Sequence, residues 1–212
     1  DVVVKIKKHK HVAIHLISDS NDSLSSSITG IALSYLENKS YYVPFNNLNK
    51  LAMKSLFEDE GLRIVGFDLK FAIKILFAND IKVKSELFDV QIAHYLLNPD
   101  FRNNLNVISE NYLGVVLKEE SSVLGRGKAK ILFSELSYSV ITDYACERAQ
   151  SIFNLAKIFE EKMQETAVLE LFKGIELPLS KVLAKMEMEG INLNIEMLNI
   201  FSVDLSKKLS DI

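Results

Sequence analysis

The sequence predicts an α/β fold, a mixed sheet flanked by helices, with a helical C-terminal extension. Three observations carry this. Asn, Asp, Ser and Gly cut the first third into short apolar or alternating runs, the pattern of strands and turns. The middle alternates strand-length apolar runs with segments of helical period, and after Lys162 a helical apolar stripe takes over. Length and composition agree: 212 residues, 48% hydrophobic, with only 3 prolines and 8 glycines, suffice for one packed domain and a smaller piece.

Taken in order, "VVVKIK" reads as an edge or approach strand. "HVAIHLIS", "SITGIALSYL" and "SYYVPF" read as three antiparallel strands in a meander, the first two joined by "DSNDSLSSS", whose Asn, Asp and Ser side chains favour a turn. Leu48, Leu51, Ala52, Ser55 and Leu56 share one face of a short helix, and "LRIVGFD" is a buried strand. Phe71, Ile75, Leu76 and Ala78 mark the next helix, and "IKVKSELFD" a loop and short strand. A helix over Gln91–Leu97 is stopped by Pro99, and one over Leu105–Leu113 by Gly114. A helix from about Val140 carries Tyr144, Arg148 and Ile152. Leu169, Phe172, Leu179, Val182, Leu183 and Met186 form the final apolar stripe, ended by Gly190, with Asn194 as N-cap of a last helix. These patterns divide the chain into residues 1–168 and a helical piece, 169–212.

The formal net charge of −3 advertises no global basic field, so a nucleic-acid contact has to come from local clusters. The most basic short window is "LGRGKAKILFSEL", with Arg126, Lys128 and Lys130. Cys146 is the only cysteine, which excludes an internal disulfide and makes a reducing, cytosol-like compartment the expectation. No run approaches the roughly 18 apolar residues of a membrane span, and no secretory leader pattern opens the chain. The sequence opens on Asp1 and stops at Ile212 inside a helical pattern, which reads as a fragment of a longer protein.

Four words at ordered places carry a family resemblance: "FDVQIAHYLLNP" (Phe88 to Pro99), "LNVISENYL", "YACERA" and "IELPLSKVLAKMEMEGINLN". Together they resemble family A DNA polymerases, the bacterial DNA polymerase I group, over nearly the whole chain. The matched region is the 3′–5′ exonuclease domain, of ribonuclease-H-like fold, and the first helices of the polymerase domain. The resemblance implies a DNA-directed DNA polymerase as parent, Mg²⁺ as its cofactor, DNA as its partner, a cytoplasmic, nucleoid-associated setting, a monomer, and packing of this piece on the polymerase domain in cis.

The exonuclease chemistry of that family needs two divalent ions, one activating water and one stabilising the leaving 3′ oxygen. Hard Mg²⁺ takes carboxylate oxygens, and the family supplies four acids: Asp-x-Glu on the first strand, an Asp on the helix after the next strand, and the Asp of a Tyr-x-x-x-Asp helix. By resemblance these positions fall on His15 and Ile17, on Ala72 and on Arg148, with Tyr144 retained. A shifted register puts the first pair on Ser18 and Ser20 instead. Either way no carboxylate is left. Two unit charges near 4 Å repel by about 4 kcal/mol at an effective dielectric of 20, and a divalent ion facing Arg148 meets about twice that. The resemblance therefore implies an inactive exonuclease domain serving as a scaffold, with no catalytic or metal-binding residue and no cofactor of its own.

Two other readings stay open at this point. Asp68, Asp89 and Asp143 are the acids from which a rearranged metal site would be built, although Asp68 reads first as a helix cap and Asp89 as structural. Arg148 with Arg126, Lys128 and Lys130 would hold a single strand without cutting it. Glu147 reads as solvated, about 100° around the helix from Arg148. His9, His11 and His15 alternate along an extended segment, but no acid or cysteine joins them at zinc-ligand spacing, which favours strand packing. Tyr144 without metal partners and Cys146 without a His–acid companion read as packing residues.

Overall fold

Alternation along the first long strand sets the architecture. β1 (His11–Ser18) buries Val12 and Ile14 on one face and Ala13 and Ile17 on the other, so it must lie between two layers. The computed structural model describes residues 2–20, 22–23 and 25–211 and places β1 at the centre of a five-stranded sheet. β2 (Ile28–Leu36) and β3 (Lys39–Pro44) complete the antiparallel meander on one side. β4 (Arg63–Gly66) and β5 (Glu86–Asp89) join in parallel on the other, giving the order β3-β2-β1-β4-β5. Of the predicted turn over 19–27, Asn21 and Leu24 lie outside the described residues, while Ser25 Oγ donates to Asp22 Oδ2 at 2.6 Å beside them.

One face of the sheet is covered by α1 (Val2–His9), α2 (Asn47–Phe57) and α3 (Leu69–Ala78), over a core that includes Ile6, Ile14, Leu56, Ile64 and Ile75. The other carries α4 (Val90–Leu97), α5 (Leu105–Leu113), the short α6 (Glu120–Leu124) and the 27-residue α7 (Tyr138–Gln164). Local chemistry explains the boundaries. Asn46 caps α2 by accepting from the Leu48 and Asn49 amides, each at 3.0 Å. Gly114 ends α5 in the left-handed region at φ 66°. Gly30 is required by close approach, since a Cβ there would lie 2.2 Å from the Tyr42 hydroxyl on the neighbouring strand.

Three expectations change. "VVVKIK" is helical, not an edge strand: Val2, Val3 and Ile6, at i, i+3 and i+4 spacing, pack against the core while Val4 is 65% exposed, an arrangement that strand alternation cannot give. His9 consequently ends a helix, and the three histidines do not share one extended segment. In α2 the buried residues are Met53, Leu56 and Phe57, leaving Leu48 and Leu51 outside. The long helix starts at Tyr138, in keeping with the expectation of about Val140.

The third change concerns the C-terminal stripe. After α8 (Val168–Leu171), Phe172–Glu176 forms a π turn in which the Leu177 amide donates to the Phe172 carbonyl five residues back. Pro178 follows in the first turn of α9 (Leu177–Glu189); it has no N–H for the carbonyl four residues earlier, and its ring crowds that carbonyl. Phe172 sits in the core against Phe88, ring centroids 5.0 Å apart. In an uninterrupted α-helix Leu179 and Leu183 would follow Phe172 onto that face. The wider turn advances the phase by one residue, so Ser180 and Ala184 are buried instead and Leu179, Val182, Leu183 and Met186 are exposed. The small residues let α9 lie close on α3, where Glu187 takes both Lys70 (2.7 Å) and Lys74 (2.5 Å). α10 (Ile195–Ser210) begins as expected at Asn194, whose Oδ1 accepts from the Met197 amide at 3.0 Å.

Candidate active-site cleft

β4 pairs with β1 only from His11 to Ala13 and then ends. Beyond that point β1 has a free edge, beside the carboxyl ends of two parallel strands, the position at which open α/β sheets form their clefts. A cavity of about 220 Å³ opens there. His15, Ile17 and Ser18 line it from β1, Asp68 and Ala72 from the start of α3, and Tyr144 from α7. His15, Ile17, Ala72 and Tyr144, which the sequence singled out, thus share one cavity. So does Ser18 of the shifted register, while Ser20 is exposed in the turn.

Each of these side chains is bound into its surroundings. Ile17 is buried with Ala32, Tyr42 and Ala145. Burial, and then the charge of Arg148, push the His15 imidazole down to about 3, so it is neutral at ordinary pH. Burial pushes the Tyr144 hydroxyl up to about 12, and its ring lies against His15 and Phe133. Burial also raises the Cys146 thiol to about 11, so the thiolate is scarce at neutral pH.

Arg148 lies one helical turn after Tyr144. Its guanidinium carbon is 3.7 Å from the Tyr144 ring centroid. Nη2 donates to the Lys118 carbonyl at 2.7 Å and to Asn106 Oδ1 at 3.3 Å, while buried Nη1 has no hydrogen-bond partner among the described residues. Glu147 is not simply solvated: its Oε2 accepts from the Lys118 amide at 3.2 Å, because the chain between α5 and α6 runs along α7. Successive residues of α7 therefore grip both polar groups of Lys118. Backbone groups leave no residue-type signal, so this contact is not legible in the sequence.

The three acids of the rearranged-site reading do not meet in one place: Asp68 and Asp89 line one small cavity, and Asp143 lines neither it nor the cleft. Asp68, at φ 54°, caps α3 by accepting from the Phe71 amide at 3.2 Å. Buried Asp89 caps α4 through the Gln91 amide at 2.9 Å and ties it to α3 through the Leu69 amide at 2.7 Å. Its burial, with nearby Asp68 adding, raises its carboxyl to about 6. Asp143 is exposed on α7. A further acid that sequence reasoning missed, Glu120, lines the cavity but is paired with Lys130 at 2.9 Å. That pair sets the basic loop beside the cavity, with Arg126 donating to Ser121 Oγ at 3.2 Å and Lys128 exposed.

Mg²⁺ calls for a near-octahedral set of oxygen ligands. Besides two carboxylates, the cavity offers a neutral imidazole, a serine hydroxyl and a tyrosine hydroxyl among hydrocarbon side chains. Its two carboxylates are engaged elsewhere, and a fixed guanidinium stands behind Tyr144. This donor set does not fit the ion, and among the described residues no cluster of three or more His, Cys, Asp or Glu is arranged to hold a metal.

Comparison with known proteins gives a consistent picture. The family model described as DNA polymerase I, ribonuclease H-like domain matches residues 14–155. DNA polymerase I of Borreliella burgdorferi is 30% identical over 207 residues, 93% of this chain and 22% of that protein. The Bacillus subtilis enzyme is 25% identical over 177 residues, 82% of this chain and 20% of that one. The chain thus spans about a fifth of the length of these relatives. Among solved structures, the POL domain of Pol1 from M. smegmatis, in complex with DNA primer-template and dNTP, superposes with a TM-score of 0.80 at 18% identity, over 99% of this chain and 34% of that one. Brucella melitensis NrnC with bound Mg²⁺ superposes with a TM-score of 0.64 at 17% identity, over 87% and 90%. At these identities the structural likenesses establish the fold. No helix among the described residues is long and apolar enough to cross a membrane.

Proposed function

This chain belongs to the DNA polymerase I family through its ribonuclease H-like domain, and from that premise we propose that its exonuclease site is no longer a metal site and that the domain serves as a scaffold for its parent polymerase. The parent would add nucleotides to a DNA primer with Mg²⁺ in a site outside this chain. Residues 1–168 would be the degenerate exonuclease-like unit and 169–212 the first helices of the polymerase unit, docked in cis. The single observation that supports the proposal is the make-up of the cleft: His15, Ile17 and Ala72, the positions to which the resemblance assigns the family's acids, meet Tyr144 in one cavity, and Arg148 is held behind the tyrosine.

Metal-assisted cleavage needs anionic oxygens that offset two dications. A buried, hydrogen-bonded guanidinium reverses that field, and a neutral imidazole does nothing to restore it. Packing now holds these cleft residues, since Ile17 and Tyr144 belong to a core cluster with Phe133 and Ala145.

The test is incubation of the purified chain with a 5′-labelled single-stranded oligonucleotide and Mg²⁺ or Mn²⁺. The expected result is no shortening above that of a mock purification. Metal-dependent shortening from the 3′ end, co-purifying with the chain, overturns the proposal. A second reading, a non-cleaving grip on a single strand, draws support from the position of the basic loop beside the cavity. It requires salt-sensitive oligonucleotide binding that Arg126→Glu and Lys128→Glu weaken together.

A further inference from the structure

A second groove lies away from this cleft. It has a volume of about 640 Å³ and runs between the C-terminal half of α3, the 81–84 loop and α9. Its floor is apolar, formed by Ile73, Phe77, Ile81, Val83 and Met188, and Phe77 is 52% exposed. Its walls carry Lys82 and Lys84 on one side and Lys181 and Lys185 on the other, with Glu189 as the one acid in the lining.

The charge pattern is selective. Lys70 and Lys74, a turn or two away along α3, are both satisfied by Glu187. The four rim lysines have no acid partner among the described residues. A local excess of positive charge thus borders an apolar floor in a chain whose net charge is −3. The walls are also fixed, because the Glu187 bracket and the buried Ala184 hold α9 against α3. The volume falls within the roughly 300–1,000 Å³ typical of ligand-holding clefts.

We infer that this groove is a docking site for an acidic peptide segment that carries aliphatic or aromatic anchor residues between its carboxylates. The anchors take the floor and the carboxylates meet the lysines on the two rims, a complementarity of both polarity and charge. A nucleic-acid strand fits less well. Sequence-tolerant strand binding uses successive aromatic platforms, and the floor has one ring among aliphatic side chains. The rim also has no arginine, the residue suited to bidentate phosphate recognition.

The experiment is selection of a random short-peptide library on the immobilised chain, followed by fluorescence anisotropy with the best synthetic peptide. The expected result is enrichment of peptides in which Asp or Glu flank apolar residues. Raising ionic strength from about 0.05 to about 0.5 M should weaken binding about tenfold. The double variant Lys82→Glu/Lys185→Glu should lose at least about tenfold in affinity, and Phe77→Ser should reduce it independently. The two lysines are exposed, so the double variant keeps its thermal midpoint, and it decides the question should Phe77→Ser fold poorly. Failure to enrich acidic peptides overturns the inference, and so does binding that both variants leave unchanged. Preferential binding of oligodeoxythymidine, lost in the same double variant, also overturns it and assigns the groove to nucleic acid.

Discussion

Arg148 and Tyr144 form a stacked pair, the guanidinium carbon 3.7 Å from the ring centroid, one turn apart on α7 and both buried. The pair joins two parts of the fold. Tyr144 faces the cavity, and Arg148 reaches behind it to the Lys118 carbonyl and Asn106. A positive charge is thus permanently installed beside the cleft by the covalent chain itself.

Arg148→Ala should therefore destabilise the chain by about 2–4 kcal/mol, since it strands the Lys118 carbonyl and empties the space behind Tyr144. Arg148→Lys should recover only part of this, lacking the planar fork and the stacking face. Equilibrium urea unfolding measures both. A loss below about 0.5 kcal/mol for the alanine variant would mark the arginine as a surface-like residue.

His15 and Asp89 should oppose each other as pH falls. The folded state holds the His15 imidazole near 3 rather than 6.5, so its contribution to stability is complete above 6.5 and is lost as pH falls toward 3. Asp89 is raised from 3.8 to about 6, so the fold binds its proton more readily and gains stability as pH drops through 6. Each effect is at most about 1.4 kcal/mol per pH unit, and less for His15, whose ring keeps some contact with solvent. His15→Gln should flatten the loss of stability between pH 6.5 and 4. Asp89→Asn should steepen it, and urea titrations across that range separate the two.

Gly30→Ala should cost about 1–3 kcal/mol through the clash with Tyr42. Combining it with Tyr42→Ala should cost less than the sum of the two, because the added methyl then has space. A double-mutant cycle that comes out additive would break the assignment of this glycine to close approach.

Glu187→Gln should change global stability by less than about 1 kcal/mol, since the carboxylate is partly exposed. Its effect should be local: faster amide exchange in α9, with the sheet unaffected. Uniform protection across α9 in the variant would show that Ala184 and Ser180 alone hold the helix on α3.

Most of the fold was legible in the sequence because its signals were local. Alternation in β1 to β3, the caps at Asn194 and Gly114, and the stop before Pro99 depend on near neighbours in the chain. "VVVKIK" misled because β-branched residues favour strands intrinsically, while Val2, Val3 and Ile6 pack on a sheet built from residues far along the chain. At the cleft, the family words located His15, Ile17, Ala72 and Tyr144. They gave no hint of Glu120 or of the Lys118 peptide, which reach the site through tertiary folding alone. The groove between α3 and α9 was invisible for the same reason, its rims being about a hundred residues apart in sequence.

The π turn at Phe172–Glu176 works as a phase shifter in the chain. One surplus residue separates the face that α9 shows to this domain from the face its own hydrophobic period would select. The helix is thereby free to address two neighbours, small residues inward and a leucine-rich stripe outward. Deleting Gly174 should restore an even pitch and leave Ser180 and Ala184 facing α3, since they then fall seven and eleven positions after Phe172, and Glu187 should keep its lysines. The π turn thus absorbs one residue that, in an evenly pitched helix, would rotate every side chain downstream by about 100°.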